Sequence, residues 1–152
     1  VHSFHTEGVF YYDSGTESER IDRANGEGDR YCGTAHPLKH TRCTHLVVNG
    51  TRYLSFPDIG SGRCCTCCTA AQGCGFLRRD WMQNATFVGY ETVNGTQTEH
   101  WTVKGIQEND WWQTARDKTP VRLLQKPNDD MRFVGFNTAP IDPATFAVPP
   151  DC

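Results

Sequence analysis

The sequence predicts an all-β protein built as a single antiparallel sheet. Runs of alternating apolar and polar residues recur along the chain, as expected for strands with one buried face. Asn49-Gly50 and Asn94-Gly95 each stand between two such runs. Asn-Gly is the favoured pair of a two-residue hairpin turn because both positions need positive φ. Helical patterning is nearly missing, and we expect at most one short helix, within residues 75–83.

The runs follow one another as a β-meander without a linker-like break. We therefore expect an N-terminal arm over residues 1–7 and a single antiparallel domain over residues 8–152, interrupted by a cysteine-rich loop at residues 57–75. The predicted strands are Gly8–Asp13, Thr16–Asp22, Asp29–Gly33, Thr44–Val48, Thr51–Phe56, Phe87–Val93, Thr96–Val103, Asp110–Ala115, Val121–Gln125 and Met131–Asn137.

The second Asn-Gly hairpin shows how the faces should divide. A two-residue turn pairs Val93 with Thr96, and counting back from it pairs Tyr90 with Glu99 and Val88 with Trp101. One face then carries Val88, Tyr90, Trp101 and Val103, which we expect to be the core face, and the other is polar. By the same alternation, Trp111 and Trp112 should divide between the core and the surface.

Three Asn-x-Thr tripeptides are acceptor sites for N-glycosylation. They begin at Asn49, Asn84 and Asn94, and two of them coincide with the predicted hairpin turns. An acceptor asparagine must be exposed, as it is at a hairpin tip. Because the chain begins at Val1 without an apolar leader, we expect that a signal peptide has been removed. These features predict a secreted glycoprotein of the extracellular matrix or cell surface.

Eight cysteines suggest a disulfide framework in such a compartment. Adjacent cysteines point opposite ways on an extended backbone, so those of the 64–68 cluster should pair with different partners. We expect those partners to be the four cysteines elsewhere in the chain. The eight are Cys32, Cys43, Cys64, Cys65, Cys67, Cys68, Cys74 and Cys152.

Zinc is the alternative to disulfides, since His36, His40 and His45 flank Cys43. Structural zinc sites usually combine two separated Cys-x2–4-Cys pairs, whereas five of these thiols crowd into residues 64–74. We therefore expect disulfides, no metal site, and solvent-facing histidines. Apart from covalent N-glycans, we expect no cofactor.

Charge and motifs exclude several classes of function. The net charge is −3 with both signs interspersed, which does not fit a nucleic-acid-binding surface. No apolar stretch approaches the length of a membrane span. No Gly-x-Ser-x-Gly, phosphate-binding glycine loop, His-Glu-x-x-His or EF-hand loop occurs, and Asp129-Asp130 lies in a predicted turn. We therefore expect no enzymatic activity.

The C-terminal half resembles the ependymin-related family and similar secreted plant and algal proteins. The likeness is good over residues 84–152 and holds only in outline over residues 8–56; the Cys64–Cys74 cluster departs from the pattern. The matching residues are Ala85-Thr86-Phe87-x-Gly89, Trp101, Asp110-Trp111-Trp112, Thr119-Pro120-Val121, Phe133-x-x-Phe136-Asn137 and Ile141-Asp142-Pro143-x-x-Phe146-x-x-Pro149-x-x-Cys152.

This resemblance implies a curved antiparallel sheet, a half-barrel akin to the bacterial lipoprotein carriers of the LolA type. It also implies disulfides, N-glycans, dimers and, by resemblance only, calcium binding, for which no ligand motif is visible. The curved sheet would cup an apolar cavity, and the chain could then carry a lipid-like ligand. Residues that would line the cavity are Val88, Tyr90, Trp101, Val121, Leu123 and Phe133.

Three functions follow from these observations. The favoured one is a structural glycoprotein that associates with itself and with glycans. If the arm over residues 1–7 adds a strand to a neighbouring sheet, the copies would join head to tail into filaments. The simpler fate of the arm is to fold back on its own sheet. The alternatives are the apolar-ligand carrier and, last, an enzyme acting on sugars.

Overall fold

A computed structural model describes residues 4–60, 63–105, 107–127 and 129–152. The all-β, antiparallel class is confirmed, but its strands form two five-stranded sheets rather than one. Each sheet belongs to its own compact unit: Val1–Arg78 with Pro140–Cys152, and Arg79–Ala139. The expected single sheet fails at residues 70–85, which fold into a 3₁₀ helix and turns, so that the next strand begins a new ladder.

The first sheet contains the strands β1 Gly8–Asp13, β2 Ser18–Arg23, β3 Cys43–Val48, β4 Thr51–Ser55 and β5 Cys64–Thr69. They lie in the order β1-β2-β3-β4-β5, every pair antiparallel. Strand β5 lies in the segment expected to be a cysteine-rich loop. One short helix, α1 Cys32–Ala35, interrupts the chain between β2 and β3, and two 3₁₀ helices follow at Ala70–Gln72 and Pro143–Phe146.

Side chains alternate between the two faces of the first sheet, and both faces carry buried residues. One face carries Val47 and Leu54, which are almost fully buried, and the core around Leu54 contains Cys32, Cys43 and Phe56. The opposite face carries Leu46, also buried. The returning C-terminal segment contacts β2 and β3 there, and Arg20 donates a 3.0 Å hydrogen bond to the carbonyl of Thr145.

The second sheet contains the strands β6 Thr86–Val93, β7 Thr96–Lys104, β8 Glu108–Thr114, β9 Pro120–Gln125 and β10 Asp129–Arg132. They lie in the order β10-β9-β8-β7-β6, again fully antiparallel. Trp111 packs against Trp81 and Phe133 on one face of this sheet. Trp112 is buried on the other face, so both indoles are packed against neighbours rather than divided between core and surface.

Both Asn-Gly turns form as predicted. Asn49 and Gly50 have φ values of 50° and 72°, and Asn94 and Gly95 have 48° and 78°. Positive φ at both central residues is the signature of a type I′ turn, whose twist matches that of the flanking strands. The first pairs Val48 with Thr51, and the second pairs Val93 with Thr96.

A β-bulge corrects the predicted register of the second hairpin. Tyr90 pairs with Glu99 as expected, but Trp101 pairs with Phe87 and not with Val88. The extra residue is accommodated beside Gly89, whose φ of 157° disfavours a side chain. As part of this irregular edge strand, Val88 and Tyr90 are 53% and 63% exposed, so the predicted core face is wrong for both.

Three predicted elements are wrong. Residues 29–33 do not form a strand; the Asp29 carboxylate accepts the N–H groups of Tyr31 and Cys32 and so favours the start of α1. Residues 75–83 contain turns and no helix. The final strand is Asp129–Arg132, because Arg122 on β9 holds Asp130 through two hydrogen bonds, and this replaces the expected solvated turn.

The type I′ turn makes a testable prediction at Gly95. A Cβ added there meets no atom within 4 Å, and the same holds at Gly135, which lacks a positive φ. Gly95→Ala should therefore destabilise the protein by about 1 kcal/mol through backbone strain alone. Gly135→Ala, the matched control, should be neutral or slightly stabilising. Urea unfolding measures both, and equal effects would contradict the turn assignment.

Candidate functional site

The three predicted acceptor asparagines all lie at exposed positions. Asn49 and Asn94 occupy the first central position of the two type I′ turns. Asn84 lies in the turns that precede β6. The side chains of Thr86 and Thr96, which complete two of the tripeptides, are exposed as well. The structure thus places all three asparagines where an attached glycan would extend into solvent.

The described cysteines form three disulfides: Cys32–Cys43, Cys64–Cys152 and Cys68–Cys74. The last two agree with the expectation that cysteines of the 64–68 cluster pair with the four cysteines outside it. The first does not, because Cys32 on α1 and Cys43 at the start of β3 meet each other in the core. Cys65 and Cys67 are free and exposed.

A buried polar network of charged and polar side chains lies on the same sheet face as Leu54. Arg52 on β4 donates to Glu19 on β2 at 2.8 Å and to Nδ1 of His45 on β3 at 3.2 Å. His45 Nε2 lies 2.7 Å from Asp29, whose other oxygen accepts from Arg23 at 3.0 Å. Each charge is paired, as burial requires.

The hydrogen-bond geometry of the buried polar network fixes the tautomer of His45. A guanidinium can only donate, so Nδ1 of His45 must accept from Arg52 and the ring proton must sit on Nε2. That nitrogen then donates to Asp29. Burial raises the pKa of Asp29, but the hydrogen bond of His45, the N–H of Cys32 and the charge of Arg23 together outweigh burial and hold that pKa well below the usual value.

The expected exposure of the histidines is wrong for His45, which is 3% exposed. Alternation along β3 contained the signal, since His45 shares a face with Cys43 and Val47. His36 packs edge-on against Phe56, and His40 is exposed. Sulfur atoms of Cys32 and Cys43 lie within 4.8 Å of a His45 nitrogen, yet in the disulfide these sulfurs are bonded to each other rather than available as thiolates.

Cys65 and Cys67 line an open groove of about 370 Å³ beside α1. Tyr31 and Leu54 form part of its floor. Burial raises the pKa of the Cys67 thiol, and the neighbouring Cys65 raises it further. Since the thiolate is the nucleophile, this environment does not activate Cys67 for catalysis.

One polar residue from each strand of the second sheet joins a ladder across one face. Trp112 stacks on His100 at 4.3 Å, and the Arg122 guanidinium lies 4.6 Å from the Trp112 ring centre. Glu91 accepts from Nε1 of Trp112 and from Nδ1 of His100, each at 2.8 Å, and Arg122 pairs with Asp130. These groups satisfy one another, so the ladder is a structural element.

The residues proposed to line a ligand cavity do not come together as one lining. Leu123 is buried, Val88 and Tyr90 are exposed, and Phe133 packs against Trp111. Two grooves lie in the first unit, one beside α1 and one beside the returning C-terminal segment, and none of the six residues lines either of them. No helix in the described ranges is long and apolar enough to cross a membrane.

Residues 43–149 match a family model described as a domain of unknown function, DUF8395. The chain belongs to the DUF8395 family. The matched range begins at Cys43, at the start of β3, and includes all three acceptor asparagines. No curated protein matches this DUF8395 chain, and its likeness to the ependymin-related family stays a prediction.

The buried polar network predicts that the stability of the fold decreases in acid. Because the folded-state pKa of Asp29 is depressed, its stabilising contribution is present above the unfolded-state pKa of about 3.9 and is lost as the pH falls below it. Asp29→Asn should cost about 3 kcal/mol at pH 7 by leaving Arg23 unpaired. Its stability should then fall less than that of the parent between pH 5 and pH 3.

Asp58→Asn is the matched control for this prediction. Asp58 also pairs with an arginine, Arg42, at 2.6 Å, but both side chains are exposed, so the substitution should leave stability near that of the parent. Chemical denaturation at several pH values measures all three proteins. Equal losses for the two variants would contradict the structural role given to Asp29.

Proposed function

We propose that this chain is a secreted, N-glycosylated, disulfide-stabilised structural glycoprotein that associates with copies of itself. The observation that carries the proposal is the placement of all three acceptor asparagines at exposed positions, two of them at hairpin tips. A glycan there extends away from the sheet and displaces none of its packing. The proposal includes no catalytic function.

Disulfides support the extracellular part of the proposal. Cys32–Cys43 lies in the core, and Cys64–Cys152 joins β5 to the last residue of the chain. Such bonds form and persist in oxidising compartments and are rare in the cytosol. Together with the acceptor sites, they favour the extracellular matrix or the cell surface over the cell interior.

Open sheet edges support self-association. The sheets end in β1 and β5, and in β10 and β6, and an unpaired edge offers its N–H and C=O groups to another strand. On β6 the apolar side chains of Phe87, Val88 and Tyr90 are substantially exposed. Asn84 and Asn94 stand at the two ends of this strand, so glycans there would frame the edge between them.

The part of the arm that the structure describes folds back on its own unit. Ala24 donates to the carbonyl of Glu7 at 2.9 Å, and the Asn25 N–H donates to Thr6 Oγ1 at 3.1 Å. A Cβ on Gly28 would meet the side chain of Phe4. These contacts favour folding back over donation to a neighbour, so we place the contact between copies at the sheet edges.

The chemistry of the buried polar network around His45 supports a non-enzymatic role. Cys32 Sγ and the Asp29 carboxylate both contact Nε2 of His45, at 3.1 Å and 2.7 Å. A nucleophilic triad instead uses one ring nitrogen for the nucleophile and the other for the carboxylate. The sulfur is also tied in a disulfide, and all three residues are buried. A nucleophile needs a free thiolate that a substrate can reach, and this cluster offers neither.

Glycopeptide mapping of the secreted protein, purified from its natural source, tests the proposal. We expect glycan at Asn49, Asn84 and Asn94. Thr51→Ala, Thr86→Ala and Thr96→Ala should each remove one glycan, whereas the matched Thr→Ser variants should keep it, because the acceptor site needs a hydroxyl at that position. Secreted protein with all three asparagines unmodified would contradict the proposal.

An apolar-ligand carrier is the alternative function, and solvent extraction of the same protein distinguishes it. A structural glycoprotein should yield no stoichiometric lipid. One molecule of lipid per chain, released by extraction, would replace the structural role with the carrier.

A further inference from the structure

We infer that Cys65 and Cys67 join two copies of this chain through reciprocal disulfides, Cys65 of each copy with Cys67 of the other. This inference rests on the proposed self-association and names the surface that makes it covalent. Six of the eight cysteines are consumed by three disulfides within the chain, and these two remain free and exposed. In an oxidising compartment, exposed thiols of this kind are candidates for intermolecular pairing.

The two thiols lie on the edge strand β5, which pairs only with β4 among the described strands. Natural edges are usually protected by lysine, proline, inward-pointing charges or a β-bulge. The β5 sequence Cys-Cys-Thr-Cys-Cys-Thr contains no lysine, proline or charge, and its protective feature is the bulge at Cys67. Residues 65–67 are consecutively exposed. A second β5 strand can therefore approach this edge.

The spacing of the two cysteines is self-complementary. In an antiparallel contact with a two-fold axis at Thr66, Cys65 faces Cys67 of the other copy and Cys67 faces its Cys65. Directly opposed residues of regular antiparallel strands have Cα atoms about 4.5 to 5.5 Å apart. Disulfides require about 4.4 to 6.8 Å, a wider range that accommodates the local distortion by the bulge at Cys67. One isologous contact thus forms two bonds.

A β-bulge explains why this contact would need covalent bonds. Arg52 pairs with Cys68 and Tyr53 with Thr66, which leaves Cys67 as the extra residue on β5. A bulge interrupts the regular ladder and bends the edge, so an extended run of backbone hydrogen bonds across the contact is disfavoured. The reciprocal disulfides would supply the stability that such a short contact lacks.

Each bond forms by thiol–disulfide exchange with a low-molecular-weight disulfide as the oxidant. The thiolate of one cysteine attacks this oxidant, and a mixed disulfide forms as one small thiol leaves. The thiolate of the facing cysteine then attacks the mixed disulfide and releases the second small thiol. Two electrons and two protons pass from the cysteine pair to the oxidant for each bond formed.

Non-reducing electrophoresis of the secreted protein, quenched with N-ethylmaleimide, tests this inference. The parent should run at twice the mass of one chain and return to one chain on reduction. Each bond needs Cys65 from one copy and Cys67 from the other. Cys65→Ser and Cys67→Ser should therefore each abolish the linked dimer when expressed alone. Co-expression of the two variants should restore it through a single bond. Thr66→Ser, the matched control on the same strand, should leave the dimer intact.

Three results would overturn the inference: parent protein with both thiols alkylated, a peptide linking Cys65 to Cys67 within one chain, or a linked dimer that survives Cys67→Ser. Sedimentation of the Cys65→Ser/Cys67→Ser variant, with its fold checked by circular dichroism, separates this outcome from the proposed function. A double variant that still associates reversibly keeps self-association, whether or not the covalent link is found.

Discussion

A backbone that is left-handed at two successive residues is the constraint on which both hairpins depend. Only a few residue types accept positive φ, and Asn-Gly satisfies it at the β3–β4 and β6–β7 turns. The turn sets the register, and the register decides which side chains of the two strands share a face. In each hairpin the turn asparagine also begins an acceptor tripeptide, so the residue that forms the turn lies at the hairpin tip, where a glycan could attach.

Within the first unit, the register set at Asn49-Gly50 brings polar groups into the interior. Val47 faces Arg52 and His45 faces Leu54, which places the guanidinium of Arg52 beside His45 and Glu19. The loop that carries Asp29 then closes over them and begins α1. These partners come from four separate segments, and every charge is satisfied only when all four are in place. The ladder through Trp112 and Arg122 joins the strands of the second sheet in a similar way.

The sequence predicted most of the strands, both hairpin turns and the exposure of the acceptor asparagines, because local φ preferences and alternation determine them. It did not predict the division into two sheets, which depends on how residues 70–85 fold. The bulge beside Gly89 shifted Val88 out of register, and alternation cannot detect one inserted residue. His45 was misjudged because its partners Asp29 and Arg52 are brought together only by strand pairing. The pairing of Cys32 with Cys43 likewise depends on α1, which has no helical periodicity.

Exposed acceptors at the two Asn-Gly hairpin tips, disulfides that fasten the first sheet and the edge strands of the two described sheets together suit the structural role proposed for this protein outside the cell. The most direct test of this account is electron microscopy of the native, glycosylated protein at modest concentration. The account predicts regular assemblies of repeated units, dimers or longer polymers, with glycan density away from the contacts. Dispersed single chains at every concentration tested would contradict it.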